Sequence, residues 1–188
     1  MKFCSACGEE VHIIIPEGDN RERFVCPACG IVHYQNPNVV TGCIPEWEDK
    51  ILLCKRAIEP RIGLWTLPAG FLENGETAME GAARESMEEA NADMREMELF
   101  SVFSIPHINQ IYTMYRGTLH EGSASPGAES LEVALLSEHE IPWDTLAFPV
   151  VITTLKWYYE DLKKGSFSTH HGEIRKTADM KIKVERFS

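Results

Sequence analysis

The chain has 188 residues, 44% hydrophobic and 25% charged, which suits a packed core in one main domain plus a small accessory unit. A formal net charge of −11 argues against a general nucleic-acid or anionic-membrane binder, which needs a basic surface. No apolar run reaches the length of a membrane span, and Lys2-Phe3-Cys4 leads from Met1 straight into a cysteine motif without a secretory signal, so a soluble cytoplasmic protein is expected.

Residues 1–35 are organised by cysteine. CSAC supplies Cys4 and Cys7, CPAC supplies Cys26 and Cys29, and each pair is followed by a glycine, Gly8 or Gly30. Two C-x2-C knuckles separated by 18 residues have zinc-ribbon spacing. A pair of disulfides is disfavoured in the cytoplasm, and a thioredoxin-like redox pair accounts for one motif, not two. His33 lies close by in sequence, but four thiolates fill a tetrahedral site, and such a closed site is structural. Cys43 and Cys54 fall in apolar stretches and read as buried free thiols.

The main domain, residues 36–188, opens near Gln35-Asn36-Pro37. VVTGCI and KILLCKR read as strands around the turn-like EWEDK, and LWTLPAGF is a strand running into the Gly70 loop. A helix follows: Thr77 and Glu80 form a capping box, and Asn91 suits the left-handed end. Helical spacing gathers Met79, Ala83, Ser86, Met87 and Ala90 on one side, the expected buried face. Glu85, Glu88 and Glu89 gather opposite, beside Ala78, Gly81 and Ala82, which have almost no bulk and should leave an open shelf. Like charges at this spacing cost about 0.2–0.5 kcal/mol per pair on an isolated helix. No lysine on the helix relieves them, and Arg84 neighbours Glu88 at i+4. Oxygen donors beside an open shelf suit Mg²⁺ or Mn²⁺. Three further strands are expected in MELFSVFSI, INQIYTMYRGTL and LEVALLS, then a helix in PVVITTLKWYYEDLKK and a last strand in MKIKVERF. Residues 165–179 between these last two are polar and read as a mobile loop, with His170 and His171 solvated.

The stretch from Gly70 to Ala92 resembles the box of the Nudix hydrolases, G-x5-E-x7-R-E-U-x-E-E-x-G-U, where U is a bulky aliphatic residue. Gly70, Glu76, Arg84, Glu85, Glu88 and Glu89 fall in register, while Ser86 and Asn91 replace the first aliphatic and the final glycine. The resemblance implies an α/β (α+β) fold, a Nudix-type α/β/α sandwich with a mixed sheet, here preceded by a small zinc ribbon. It implies hydrolysis of a nucleoside diphosphate linked to another group X, using Mg²⁺ or Mn²⁺. Glu89 is then a main metal ligand, Glu85 bridges the metals or polarises the attacking water, Glu88 shares the site, and the Ala69 carbonyl joins the coordination. Glu76 and Arg84 form a supporting ion pair, and a further carboxylate comes from a loop before a later strand, here Glu129, with Glu132 second. Arg56 is a candidate phosphate contact and Trp65 a candidate base-stacking residue. His107, Asn109 and Tyr112 are candidates for reading X.

Ribbon-bearing relatives include NADH pyrophosphatases, which carry a Ser-Gln-Pro-Trp-Pro-Phe-Pro block after the box. That block is absent from FSVFSIPHINQIYTMYRG, so FAD or ADP-ribose is expected ahead of NADH. A homodimer is expected from the resemblance alone. The other reading is a non-catalytic nucleotide sensor or nucleic-acid-binding regulator. Retention of every charged box position speaks for the enzyme.

Overall fold

The computed structural model describes residues 1–187 and divides the chain into two units, Met1–Pro37 and a second that begins at Asn38. In the first, β1 (His12–Ile14), β2 (Arg23–Val25) and β3 (Val32–His33) form an antiparallel three-stranded sheet in that order. The two cysteine knuckles are built alike: the Gly8 amide donates to the Cys4 carbonyl and the Gly30 amide to the Cys26 carbonyl, each at 2.9 Å. Both glycines have positive φ (+80° and +73°), a backbone conformation that residues with a side chain rarely adopt. The apolar core of this unit is small: Cys4, Val11 and Cys26, with Phe24 packed against them.

Among the described residues the second unit has a nine-stranded mixed sheet, two α-helices and four short 3-10 turns. Its strands are β4 (Asn38–Trp47), β5 (Lys50–Arg56), β6 (Trp65–Thr66), β7 (Ala69–Phe71), β8 (Met94–Ile105), β9 (Gln110–Leu119), β10 (Ser130–Leu136), β11 (His170–Lys176) and β12 (Ile182–Phe187). The sheet order is β10-β5-β4-β9-β8-β11-β12, with β6 on β5 and β7 on β4. The pairs β4–β9 and β8–β11 are parallel, and the other neighbours are antiparallel. Neighbouring residues of one strand serve opposite cores. Ile44, Leu53 and Met114 join the cluster containing α2 (Pro149–Lys164), and Cys43, Leu52 and Tyr115 join the cluster containing Ala82 and Ala90 of α1 (Ala78–Ala90). Such two-sided burial makes strands read as continuous apolar runs, as in ILLC. It places the sheet between the helices.

Helix α1 begins and ends where its sequence indicates, with both hydrogen bonds of the Thr77–Glu80 capping box present and Asn91 left-handed at φ 47°. Its buried face agrees with the expected one at Ser86 and Ala90 but is rotated away from the two methionines toward the glutamates. Met79 and Met87 are 43% and 45% exposed, whereas Gly81, Ala82, Glu85, Ser86, Glu89 and Ala90 are buried. The small residues do not border an open shelf; they let the helix lie close on β4. A Cβ on Gly81 would stand 2.8 Å from the Thr41 methyl, and Thr41 Oγ1 donates to the Ala78 carbonyl at 2.6 Å.

The polar stretch 165–179 also differs from expectation. His170 opens β11, which pairs in parallel with β8, and it is 4% exposed, with Nε2 2.7 Å from Asp161 Oδ2 and its ring edge-on to Phe100. A partner on α2 and a strand far away in sequence order this segment, so its local composition carries no sign of it. His171 is exposed, as expected, though it sits on the strand.

Candidate functional site

A cavity of about 890 Å³ opens where α1, the β7 loop and the segment before β10 converge. Its acidic wall comprises Glu85, Glu88, Glu89 and Glu129 beside Arg84, Ala69 and Gly70. Glu85 and Glu89 lie on the buried face of α1 and are 9% and 6% exposed, because the small residues have already brought that face down onto the sheet. Glu88 is different: its side chain is 60% exposed and is held by Arg84 Nη1 at 3.0 Å.

Arg84 ties the wall together. Its Nε and Nη2 donate to the two oxygens of Glu76 at 3.0 and 2.8 Å, Nη2 also donates to the Phe71 carbonyl at 3.1 Å, and Nη1 donates to Glu85 at 2.7 Å. The loop before the helix is thereby pinned to the helix, and Glu85 is held in one orientation. Arg84 holds the Glu76 carboxyl well below its usual range, at about 2. Burial works the other way on the inner pair. It raises Glu85, and it raises Glu89 to about 8, with the neighbouring Glu85 adding to the effect.

Two observations show that this donor set fits a hard divalent cation. Glu89 Oε2 is buried without a hydrogen-bond partner, an arrangement that costs free energy unless something positive satisfies it. Gly70 backs the same place: a Cβ there would stand 2.3 Å from Glu85 Oε1, so only glycine leaves the carboxylate where it is. Carboxylate oxygens match the ligand preference of Mg²⁺ or Mn²⁺, but among the described residues only the four cysteines bring three or more ligand atoms within 4.8 Å of one another.

Glu129 reaches the cavity through a residue that the sequence reading passed over. Gly127 donates its amide to the Glu89 carbonyl at 2.9 Å, and a Cβ on it would stand 1.8 Å from the Glu88 carbonyl oxygen. Asn91 adds a second tie, its Nδ2 donating to the Ser125 carbonyl at 3.1 Å. The loop therefore docks on the end of α1, with Glu129 exposed at the mouth. The Pro-Gly step in SASPGAES was the available signal. Glu132 does not line the cavity; it is exposed and pairs with Lys55 at 3.4 Å.

The lining also includes the apolar and aromatic side chains of Ile58, Ile108, Tyr112 and Phe148, and Arg56. The Arg56 guanidinium lies 5.2 Å from the Phe148 ring centre, and its Nε donates to the Pro60 carbonyl at 2.8 Å. Phe148 was not foreseen, because it precedes a helix in a stretch that reads as core. Trp65 is not part of the lining: its ring packs against the α2-side core, with the Lys55 amine 5.6 Å above it. His107 lines a small adjoining cavity of about 70 Å³, and Asn109 is the left-handed residue before β9. Of the three candidates for reading X, Tyr112 alone lines the large cavity.

In the first unit the Sγ atoms of Cys4, Cys7, Cys26 and Cys29 all lie within 4.8 Å of one another. The Cys4–Cys29, Cys7–Cys26 and Cys7–Cys29 separations are 3.7, 3.5 and 3.6 Å. Tetrahedral zinc with bonds of about 2.3 Å sets its sulfurs about 3.8 Å apart, so the cluster fits that ion. The four thiols do not shift together: the Ala6 amide, donating to Sγ, is the first cause that lowers Cys4, and Cys26 is also lowered, whereas Cys7 and Cys29 are raised. All six cysteines are free, and burial pushes the Cys43 and Cys54 thiols up.

Comparison with known proteins agrees with both units. Residues 2–35 match the Nudix N-terminal zinc-ribbon model, and residues 36–158 match the NUDIX domain model. A crystal structure of a NUDIX hydrolase from Nitrosomonas europaea is 56% identical, covers 94% of this chain and 100% of its own, and superposes with a TM-score of 0.91. The NAD-capped RNA hydrolase NudC of Stutzerimonas stutzeri is 27% identical over 71% of this chain and 46% of its own length. The ADP-ribose pyrophosphatase of Methanocaldococcus jannaschii is 41% identical over 39% of this chain and 43% of its own. The chain thus spans about half the length of the curated relatives it matches. No described helix is long and apolar enough to cross a membrane. The matched domain, the mixed sheet between helices and the ribbon together establish that the chain belongs to the Nudix hydrolases and carries the family's N-terminal zinc ribbon.

Proposed function

We propose that the chain hydrolyses the pyrophosphate bond of a nucleoside diphosphate linked to X, with ADP-ribose or a related dinucleotide as substrate and AMP plus an X-phosphate as products. The observation that carries this reading is the buried Glu85–Glu89 pair, with its unpartnered oxygen, facing a cavity large enough for a dinucleotide. Glu85, Glu88, Glu89 and Glu129, with the Ala69 carbonyl, are the proposed ligands of Mg²⁺ or Mn²⁺, which would neutralise the phosphate oxygens. Arg84, anchored by Glu76, is the proposed supporting residue that holds Glu85 through its own bond to that carboxylate. Arg56 is positioned to take a phosphate oxygen, since stacking on Phe148 and the bond to Pro60 fix its plane. The apolar side chains of Tyr112, Ile108 and Phe148 offer a surface for a ring of the substrate.

The activities named for the relatives favour ADP-ribose and NAD-type compounds, and neither curated relative named above is an FAD hydrolase. FAD therefore stands behind ADP-ribose. A second reading, NAD-capped RNA, is motivated by the NudC relatives. The net charge of −11 is unfavourable for a long polyanion. We infer zinc at the four-cysteine cluster and a reducing, cytoplasmic setting that keeps the thiols available. A hydrolysis screen over ADP-ribose, NADH, FAD, NAD-capped RNA and nucleoside triphosphates with Mg²⁺ or Mn²⁺ tests the substrate class. In ¹⁸O-water, label should appear in a phosphate product. Turnover of triphosphates alone would refute the dinucleotide assignment.

A further inference from the structure

The cavity of about 70 Å³ that holds His107 adjoins the large one, and Ile108, Tyr112 and Phe148 line both. Ile105, Val150 and Ile174 also line it and are buried. Ile182 completes the aliphatic lining, yet it is 44% exposed, and Ile108 is 49% exposed. Ile174 and Ile182 come from the β11–β12 hairpin, beyond residue 158, where the match to the NUDIX domain model ends. The register sets Ile174 opposite Val184, and the two-residue period puts Ile182 on that same face, where Ile174 packs with α2. Two exposed isoleucines beside an apolar cavity leave hydrocarbon in water, and a ligand that covers them gains its burial.

We infer that this side pocket takes one edge of the adenine base of the substrate, and that Ile182 is a specificity-determining residue supplied by the C-terminal hairpin. The inference rests on the proposed hydrolysis of ADP-ribose or a related dinucleotide. Ribose and phosphate carry hydroxyls and charge, which lose water without replacement against isoleucine side chains. The base alone presents flat apolar faces. A cavity of about 150 Å³ holds a benzene ring, so 70 Å³ has room for an edge of a purine and not for the whole ring system. The rest of the base then lies in the large cavity against Tyr112 and Phe148, the aromatic side chains common to both. Only His107 and Tyr112 bring polar side-chain atoms to the pocket, so apolar contact carries most of the affinity there. Ile182 does not line the large cavity that holds the carboxylates, so it acts on binding and not on the hydrolytic step.

Calorimetry of the full chain with Mg²⁺ should show AMP binding about tenfold or more tighter than ribose 5-phosphate, which lacks the base. Ile182→Trp fills the pocket and should weaken AMP by about tenfold while leaving ribose 5-phosphate unchanged. Ile182→Leu keeps the volume and should bind AMP as the unaltered chain does. Val184→Trp, on the same exposed face of β12 but outside the lining, controls for damage to the hairpin, with circular dichroism showing that each variant is folded. In turnover, Ile182→Trp should raise KM for ADP-ribose by the same factor and keep kcat within about twofold. AMP no tighter than ribose 5-phosphate, an Ile182→Trp chain with unaltered AMP affinity, or an equal loss in Val184→Trp overturns the inference. If no dinucleotide is hydrolysed although AMP affinity follows residue 182 as expected, the base pocket stands and the hydrolysis reading fails.

Discussion

Gly70 and Glu85 interact because one lacks what the other needs. The atom that a Cβ on Gly70 would strike is the carboxylate end of Glu85, a flexible group that can swing away without disturbing the backbone. Gly70→Ala should therefore leave the melting temperature nearly unchanged while turnover falls steeply, because the displaced carboxylate no longer faces the cavity. Equal loss of stability and activity would show that Gly70 acts on folding instead. Gly127 is the contrasting case, since its Cβ would meet the Glu88 backbone, which cannot move aside. Glu89→Gln keeps shape and removes a ligand charge. Turnover should drop by roughly 100-fold or more at saturating Mg²⁺, whereas Glu80→Gln, which touches only the helix cap, should leave it near normal. Glu76 adds a pH dependence of known sign. Its folded pKa, about 2, lies below its ordinary value of 4.5 because Arg84 grips it. The stability it contributes is fully present above that ordinary value and is lost as pH falls toward 2. Glu76→Gln should flatten the acid limb of a stability–pH curve measured by urea unfolding, and an unchanged limb would remove Glu76 from the account.

At the scale of elements, the two helices and most strands were legible, because their signals are local. Thr77, Glu80 and Asn91 mark the ends of α1, and the run KILLCKR coincides with β5. The face of α1 was not legible from periodicity, which weights methionine as core and glycine as neutral. Close approach to β4 reverses that weighting: Gly81 and Ala82 are inside because nothing larger fits, and the methionines are left outside. The same close approach buries Glu85 and Glu89, which the sequence placed beside an open shelf. Ala82→Leu should accordingly destabilise by about 1–3 kcal/mol through overpacking, while Met87→Ala should stay within about 0.5 kcal/mol. Chemical denaturation of the two variants distinguishes the faces, and the reverse order would restore the original orientation. Strand β11 was missed for a different reason. Its order comes from β8 and from the Asp161–His170 contact, both remote in sequence.

At the scale of the whole molecule, the two units have different sources of stability. The second unit has large apolar clusters on both faces of its sheet. The first has three buried core residues, two of them cysteines, in a segment below the roughly 40 residues at which an apolar core alone usually suffices. Four sulfurs brought within 4.8 Å in that unit should repel as thiolates unless a cation holds them. Metal binding should then supply most of the free energy that orders the ribbon. Elemental analysis should find about one zinc per chain. Removing it with a thiol-reactive mercurial and a chelator should unfold residues 1–37 first, seen as fast hydrogen exchange there while the amides of β4, β5 and β9 stay protected. Cys26→Ser should give the same pattern without chelation. If the ribbon keeps its protection after zinc is gone, its order must come from contacts other than the metal cluster. If the sheet loses protection together with the ribbon, the two units fold as one and the ribbon contributes to the stability of the hydrolase domain.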